Sequence, residues 1–190
     1  MPYLSDKQLR EMGFKSLGKD VKVSDRASVY NANCIELGDY SRIDDFCVIS
    51  GRVVLGRNVH IAPLCLVAGG AQGIFFDDFS GLAYQVQVFT QSDDYSGGSL
   101  TNPTVPEIFK NEIKKPVYLG RHCIVGAGSI VMPGVTLSEG TAIGAMSLVR
   151  KSTEAWSIYA GNPAKKIKAR KKDLLELERQ YLTGEVGYGQ

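Results

Sequence analysis

Residues 119–149 read LGRHCIVGAGSIVMPGVTLSEGTAIGAMSLV, and their spacing decides the fold. An aliphatic side chain falls at Leu119, Val125, Val131, Leu137, Ile143 and Val149, six residues apart each time. Four positions after each of the first five comes a small or compact residue: Cys123, Ser129, Val135, Thr141 and Ser147. Glycine often follows the aliphatic residue, at Gly120, Gly126 and Gly144. An amphipathic helix repeats every ~3.6 residues and a half-buried strand every ~2, so neither gives a step of six. Hexapeptide periodicity is the pattern of a parallel β-helix, in which each hexad supplies one short face and one turn.

The same step runs through the first half of the chain. Val23, Val29 and Ile35 open it, and a slip of two residues resets the phase at Leu37. Leu37, Ile43, Ile49, Leu55, Ile61 and Val67 then keep step, with Ser41, Cys47, Val53, Val59, Cys65 and Ala71 at the compact position. Gly69 and Gly70 interrupt the phase, and Phe76, Leu82 and Val88 make one more coil. Three hexads close a triangular coil of about 18 residues, and stacked coils bury one another's aliphatic residues on the axis. A fully buried aliphatic side chain contributes ~1.5–3 kcal/mol, so these columns supply most of the driving force. The fold class expected is therefore all-β, a parallel β-helix of hexapeptide repeats.

Three segments fall outside the step. Residues 3–13 suit a short helix that covers the open edge of the first coil, with Ser5 and Gln8 as a capping box and Gly13 as its stop. Residues 90–116, TQSDDYSGGSLTNPTVPEIFKNEIKKP, form a polar excursion thrown from a corner. Long insertions of this kind are often functional. After Asn162-Pro163, the spacing of Ile167, Leu174, Leu177 and Tyr181 predicts a helix over about 164–182. A frayed tail is expected from Thr183. The division is a helical cap over 1–20, the β-helix over 21–160 with its loop at 90–116, and a helix and tail over 161–190.

Composition narrows the function classes. At 190 residues the chain suits one domain, and a net charge of +2 argues against a dedicated nucleic-acid binder. Met1 to Lys15 lacks the apolar core of a signal peptide, and no apolar run reaches the length of a membrane span. Cys47, Cys65 and Cys123 occupy compact positions and read as small core residues without metal-type pairing. A reduced, cytoplasmic protein is expected.

The hexads, the corner loop and the ending AGNPAKKIK together resemble the hexapeptide-repeat acyltransferases. The branch is that of the galactoside, maltose and xenobiotic acetyltransferases and the sugar acetyltransferases of bacterial surface-polysaccharide pathways, lipopolysaccharide biosynthesis among them. The resemblance covers nearly the whole chain. It implies a left-handed β-helix, a homotrimer, and acetyl-CoA as acyl donor in the groove between neighbouring subunits, with no metal. It places Ala127 and Ala145 against the pantetheine, where a larger side chain would block close approach. It places Arg150, Lys151, Lys165 and Lys166 near the CoA phosphates, a role that suits cations. A solvated basic helix face is the alternative reading of those four residues.

Many relatives take a general base from a histidine in the corner loop. Here that segment reads FTQSDDYSG, and Gln91 stands near the expected position. The chain has two histidines, His60 and His122. His60 lies off the aliphatic column beside a corner, where it reaches toward the groove between subunits as a candidate base, with Asp93 or Asp94 from the loop to orient it; a surface or structural histidine is the alternative reading. His122 reads as a surface residue. Some sugar N-acetyltransferases of this fold lack a catalytic histidine, because an amine already partly neutral needs less help than a hydroxyl. On that reading Asp93 and Asp94 hold a cationic amino sugar, while Tyr84, Tyr95 and Gln91 contact it. The function expected is acetyl-CoA-dependent transfer to an amino or hydroxyl group of a sugar, plausibly nucleotide-linked. A non-catalytic scaffold is one alternative. A zinc lyase of the γ-carbonic anhydrase type is another, although it requires three histidines.

Overall fold

The computed structural model describes residues 2–184. The hexads build a three-sided parallel solenoid. Its first face stacks Ser16–Leu17, Ile35–Leu37, Val53–Leu55, Ile74–Phe76, Val117–Leu119 and Thr136–Leu137. The second face stacks Lys22–Val23, Arg42–Ile43, His60–Ile61, Gly81–Leu82, Ile124–Val125, Ala142–Ile143 and Ser157–Ala160. The third holds Ser28–Tyr30, Val48–Ser50, Leu66–Ala68, Gln87–Phe89, Ile130–Val131 and Leu148–Val149.

The hexad aliphatics are the core. Leu37, Leu55, Phe76, Leu119 and Leu137 line the first face, and Ile43, Ile61, Leu82, Val125 and Ile143 the second, each at most 3% exposed. The compact residues also point inward. The thiols of Cys47, Cys65 and Cys123 donate to the carbonyls of Ala62, Ala83 and Ser138, each at 3.1 Å. Burial pushes the Cys123 thiol up to about 11, so it behaves as a small core group rather than a nucleophile.

The corner between the second and third faces bends through Phe46, Leu64, Gln85, Gly128 and Met146, all with φ between +56° and +69°. Left-handed backbone is costly for bulky residues. Phe46, Leu64 and Met146 nevertheless adopt it while exposing 55%, 50% and 76% of their surface. The excursion leaves from the corner between the third and first faces. At its base Gln91–Ser92 pairs antiparallel with Ile113–Lys114.

The N-terminal helix α1 is Asp6–Glu11, and Ser5 and Gln8 form the expected capping box. The C-terminal segment departs from the helix predicted over 164–182. Lys165–Ala169 is a strand, antiparallel to Ser157–Ala160, and the helix α2 begins only at Leu174 and runs to Thr183. The last parallel strand leaves an open edge, and pairing its backbone overrides the local helical spacing. Of the tail expected to fray, residues 185–190 lie outside the described residues. His122 is buried and not the surface residue expected from the sequence. It is 7% exposed, because α2 folds back over the corner between the first and second faces and sets Glu178 Oε2 2.9 Å from His122 Nε2.

Candidate active site

The outward positions of the second face bring polar side chains together beside a cavity. Arg42, His60, Gly81 and Ile124 are directly opposed on adjacent strands. Asp44, two residues after Arg42, is 1% exposed and sits among donors. Its Oδ1 accepts from Arg42 Nε at 2.6 Å and from Tyr3 Oη at 3.3 Å, and its Oδ2 from Arg42 Nη2 at 2.8 Å. His60 Nε2 lies 2.8 Å from Asp44 Oδ2. Burial alone would raise the Asp44 carboxyl, but the bonds from Arg42 and His60 outweigh it and hold it below the usual carboxylate range. An ionised carboxylate only accepts, so His60 donates from Nε2, and in the tautomer that does so the lone pair lies on Nδ1. The side chain of His60 is 48% exposed. It borders a cavity of about 370 Å³ that also touches Asn58, Phe79, Gly81, Tyr84 and Ile124.

The orienting group is therefore Asp44, and within one chain neither Asp93 nor Asp94 reaches His60. Within the chain both loop aspartates accept hydrogen bonds in turns. Asp94 accepts from Ser96 N and Oγ, each at 2.9 Å, and from Ser99 Oγ at 3.0 Å. These bonds hold its carboxyl below the usual range. Asp93 accepts from Asn102 N at 3.2 Å. Gln91 donates from Nε2 to Glu112 at 2.7 Å, and Glu112 also pairs with Lys110 at 3.2 Å and Lys114 at 2.9 Å. Gln91 thus braces the base of the excursion. Tyr84 stands at the cavity rim, 61% exposed, and Tyr95 projects from the loop, 90% exposed.

Ala127 and Ala145 occupy successive turns of the same corner as Tyr84. Gly128 N donates to Tyr84 O at 2.9 Å and Met146 N to Ala127 O at 2.8 Å. A Cβ on Gly126 would meet Ala145 N at 2.5 Å, so this edge packs backbone on backbone and presents small residues. Beyond it Arg150, Lys151 and Lys165 converge on a second cavity, of about 430 Å³. Lys166 turns away to pair with Glu154 at 2.6 Å.

The residues around His60 that sequence reasoning did not single out are Tyr3, Arg42, Asp44 and Ile124. Arg42 precedes His60 by one 18-residue coil, so the period itself could have placed Arg42 and its near neighbour Asp44 beside His60. Among the described residues no three His, Cys, Asp or Glu side chains converge as a metal site requires.

The solenoid with its corner excursion is the architecture that the resemblance to the hexapeptide-repeat acyltransferases implied. No protein-family model matches the chain. It is 42% identical over 190 residues to the dTDP-4-amino-4,6-dideoxy-D-glucose acyltransferase of Escherichia coli, covering 98% of each chain. It is 43% identical to AntD, an N-acyltransferase from Bacillus cereus solved with dTDP and 3-hydroxybutyryl-CoA, with a TM-score of 0.95 over 96% of this chain and 97% of that one. A variant of AntD was solved with dTDP-4-amino-4,6-dideoxyglucose and coenzyme A. The colanic acid biosynthesis acetyltransferase WcaF of Escherichia coli K12, a putative assignment, is 28% identical over 85% of this chain and 72% of its own. The chain belongs to the family of sugar acyltransferases that the first of these relatives represents.

Proposed function

We propose that this enzyme moves the acyl group of acetyl-CoA, or of a related short acyl-CoA, to the 4-amino group of a dTDP-4-amino-4,6-dideoxy sugar. The observation that carries the reading is the likeness to a named acyltransferase of that sugar over 98% of both chains. On this reading the reaction takes place in the cavity beside His60 and Asp44. The amine enters the cavity and attacks the thioester carbonyl. The C–N bond forms, the C–S bond breaks, and coenzyme A leaves as the thiol. His60 Nδ1 accepts the proton lost by nitrogen and returns it to the leaving sulfur. Arg150, Lys151 and Lys165 hold phosphates of the coenzyme, and Ala127 and Ala145 let the pantetheine lie against the corner.

The working unit we infer is a homotrimer. Tyr95, Ile108 and Phe109 on the excursion are 90%, 85% and 54% exposed, and the corner of Phe46, Leu64 and Met146 exposes matching apolar surface. Docking the excursion of one copy on the corner of the next buries both. It also brings Asp94 to the cavity of the neighbour, where its anionic carboxylate attracts the ammonium form of the acceptor. Both substrates are activated metabolites, which fits a cytoplasmic enzyme of surface-polysaccharide synthesis. The test is thiol release from acetyl-CoA with amino and hydroxy sugar nucleotides. Turnover with the 4-amino-4,6-dideoxy sugar supports the reading, and turnover only with hydroxy sugars would overturn it.

A further inference from the structure

The second face has one gap in its outward row. His60, Gly81 and Ile124 oppose one another on three adjacent strands. Strands lie about 4.8 Å apart, so the His60 and Ile124 backbones flank a slot roughly 10 Å across with no side chain between them. The gap is built in, because a Cβ on Gly81 would lie 2.9 Å from the His60 carbonyl oxygen. The two walls differ in kind. One is polar: His60 is held by Asp44, and Asn58 stands beside it with a buried Oδ1 that has no hydrogen-bond partner among the described residues. The other is apolar, made by Ile124, 49% exposed, with Phe79 and Ala83 nearby.

We propose that the apolar wall receives the C6 methyl group of the acceptor and so selects a 6-deoxy sugar over its 6-hydroxy counterpart. This rests on the cavity being the acceptor site, as argued above. The C4 nitrogen and C6 leave adjacent ring carbons and diverge. One orientation of a ring seated on the bare Gly81 backbone sets its nitrogen at His60 and its C6 beside Ile124. A methyl group there displaces water from apolar surface. A hydroxymethyl group buries an oxygen where Ile124, Phe79 and Ala83 offer no side-chain partner. Apolar pockets reject an added hydroxyl by roughly 10–100-fold.

The experiment compares kcat/KM for dTDP-4-amino-4,6-dideoxyglucose and its 6-hydroxy analogue in the wild type and in Ile124→Thr. Threonine keeps the branched shape, supplies a hydroxyl, and sits at a half-exposed position that tolerates it. The wild type should prefer the 6-deoxy sugar by roughly 10–100-fold, and Ile124→Thr should cut that ratio about fivefold or more. A ratio near one in the wild type, or one unchanged by Ile124→Thr, overturns the proposal. Calorimetric titration of both sugars without acyl-CoA separates this result from the reading beneath it. If neither sugar is acylated, the proposed reaction fails. A binding preference that Ile124→Thr removes would still support the methyl wall, and equal binding would sink it.

Discussion

Asp44→Asn probes the site through one atom. The substitution keeps the shape of the side chain and removes its charge. Arg42 offers only N–H donors, so the remaining oxygen of the amide must face Arg42 and its NH₂ must face His60. His60 Nε2 then has to accept, which forces the ring proton onto Nδ1 and takes the lone pair out of the cavity. Turnover should fall by roughly 10²–10⁴, the range for a lost general base, while the KM for acyl-CoA stays near its wild-type value. His60→Ala should fall to the same level, and the double variant should lose nothing further. Stability should also drop, because the bonds from Arg42 at 2.6 and 2.8 Å to a carboxylate 1% exposed lose their charge on one side. At ~1.5–3 kcal/mol for a charge-assisted bond, with one oxygen retained, the loss is about 2 kcal/mol. That corresponds to a melting point lower by roughly 4–8 °C for a chain of this size. The assay is steady-state thiol release below that melting point, alongside thermal melts of both proteins. A lowered melting point with turnover within about threefold of wild type would refute the dyad and leave Asp44 a purely structural acceptor.

Lys165→Ala should raise the KM for acyl-CoA by roughly tenfold with kcat preserved, the effect of losing one charge-assisted phosphate contact. Lys166→Ala should leave that KM nearly unchanged, because its partner is Glu154; initial rates against acyl-CoA concentration distinguish the two. Glu178→Ala should destabilise the protein by about 2–3 kcal/mol, since the 7%-exposed His122 side chain loses its acceptor. Thermal melts and faster proteolysis within α2 would register the loss. Burial raises the Glu178 carboxyl, yet Arg121 and His122 together hold it below its ordinary value. A lowered folded-state pKa means that this stabilisation is full above about pH 4.5 and fades as pH falls through the folded value, so wild type and variant should converge in acid.

The solenoid was legible because a step of six puts one residue per hexad on the axis, and Leu119 through Val149 keep that step without exception. The capping box of α1 was legible for the same kind of reason, since Ser5 and Gln8 bond within a single turn. Lys165–Ala169 was not. Its spacing suits a helix, and what makes it a strand is the open edge of Ser157–Ala160, a partner that local pattern does not reveal. His122 was misplaced because its cover comes from Glu178, which reaches it only after the chain folds back along the corner. The carboxylate that reaches His60 within the chain, Asp44, lies nearly one coil earlier on the same face, a neighbour that only the coil period reveals.

The central claim is that an amine of a nucleotide-linked deoxy sugar is the acceptor, and the most direct measurement is thiol release from acetyl-CoA with two matched acceptors. These are dTDP-4-amino-4,6-dideoxyglucose and the same nucleotide sugar with a 4-hydroxyl. Rapid release with the amino sugar, accompanied by a product carrying a 4-amide, is the predicted result. Release with the hydroxyl sugar alone, or with neither, would contradict the account.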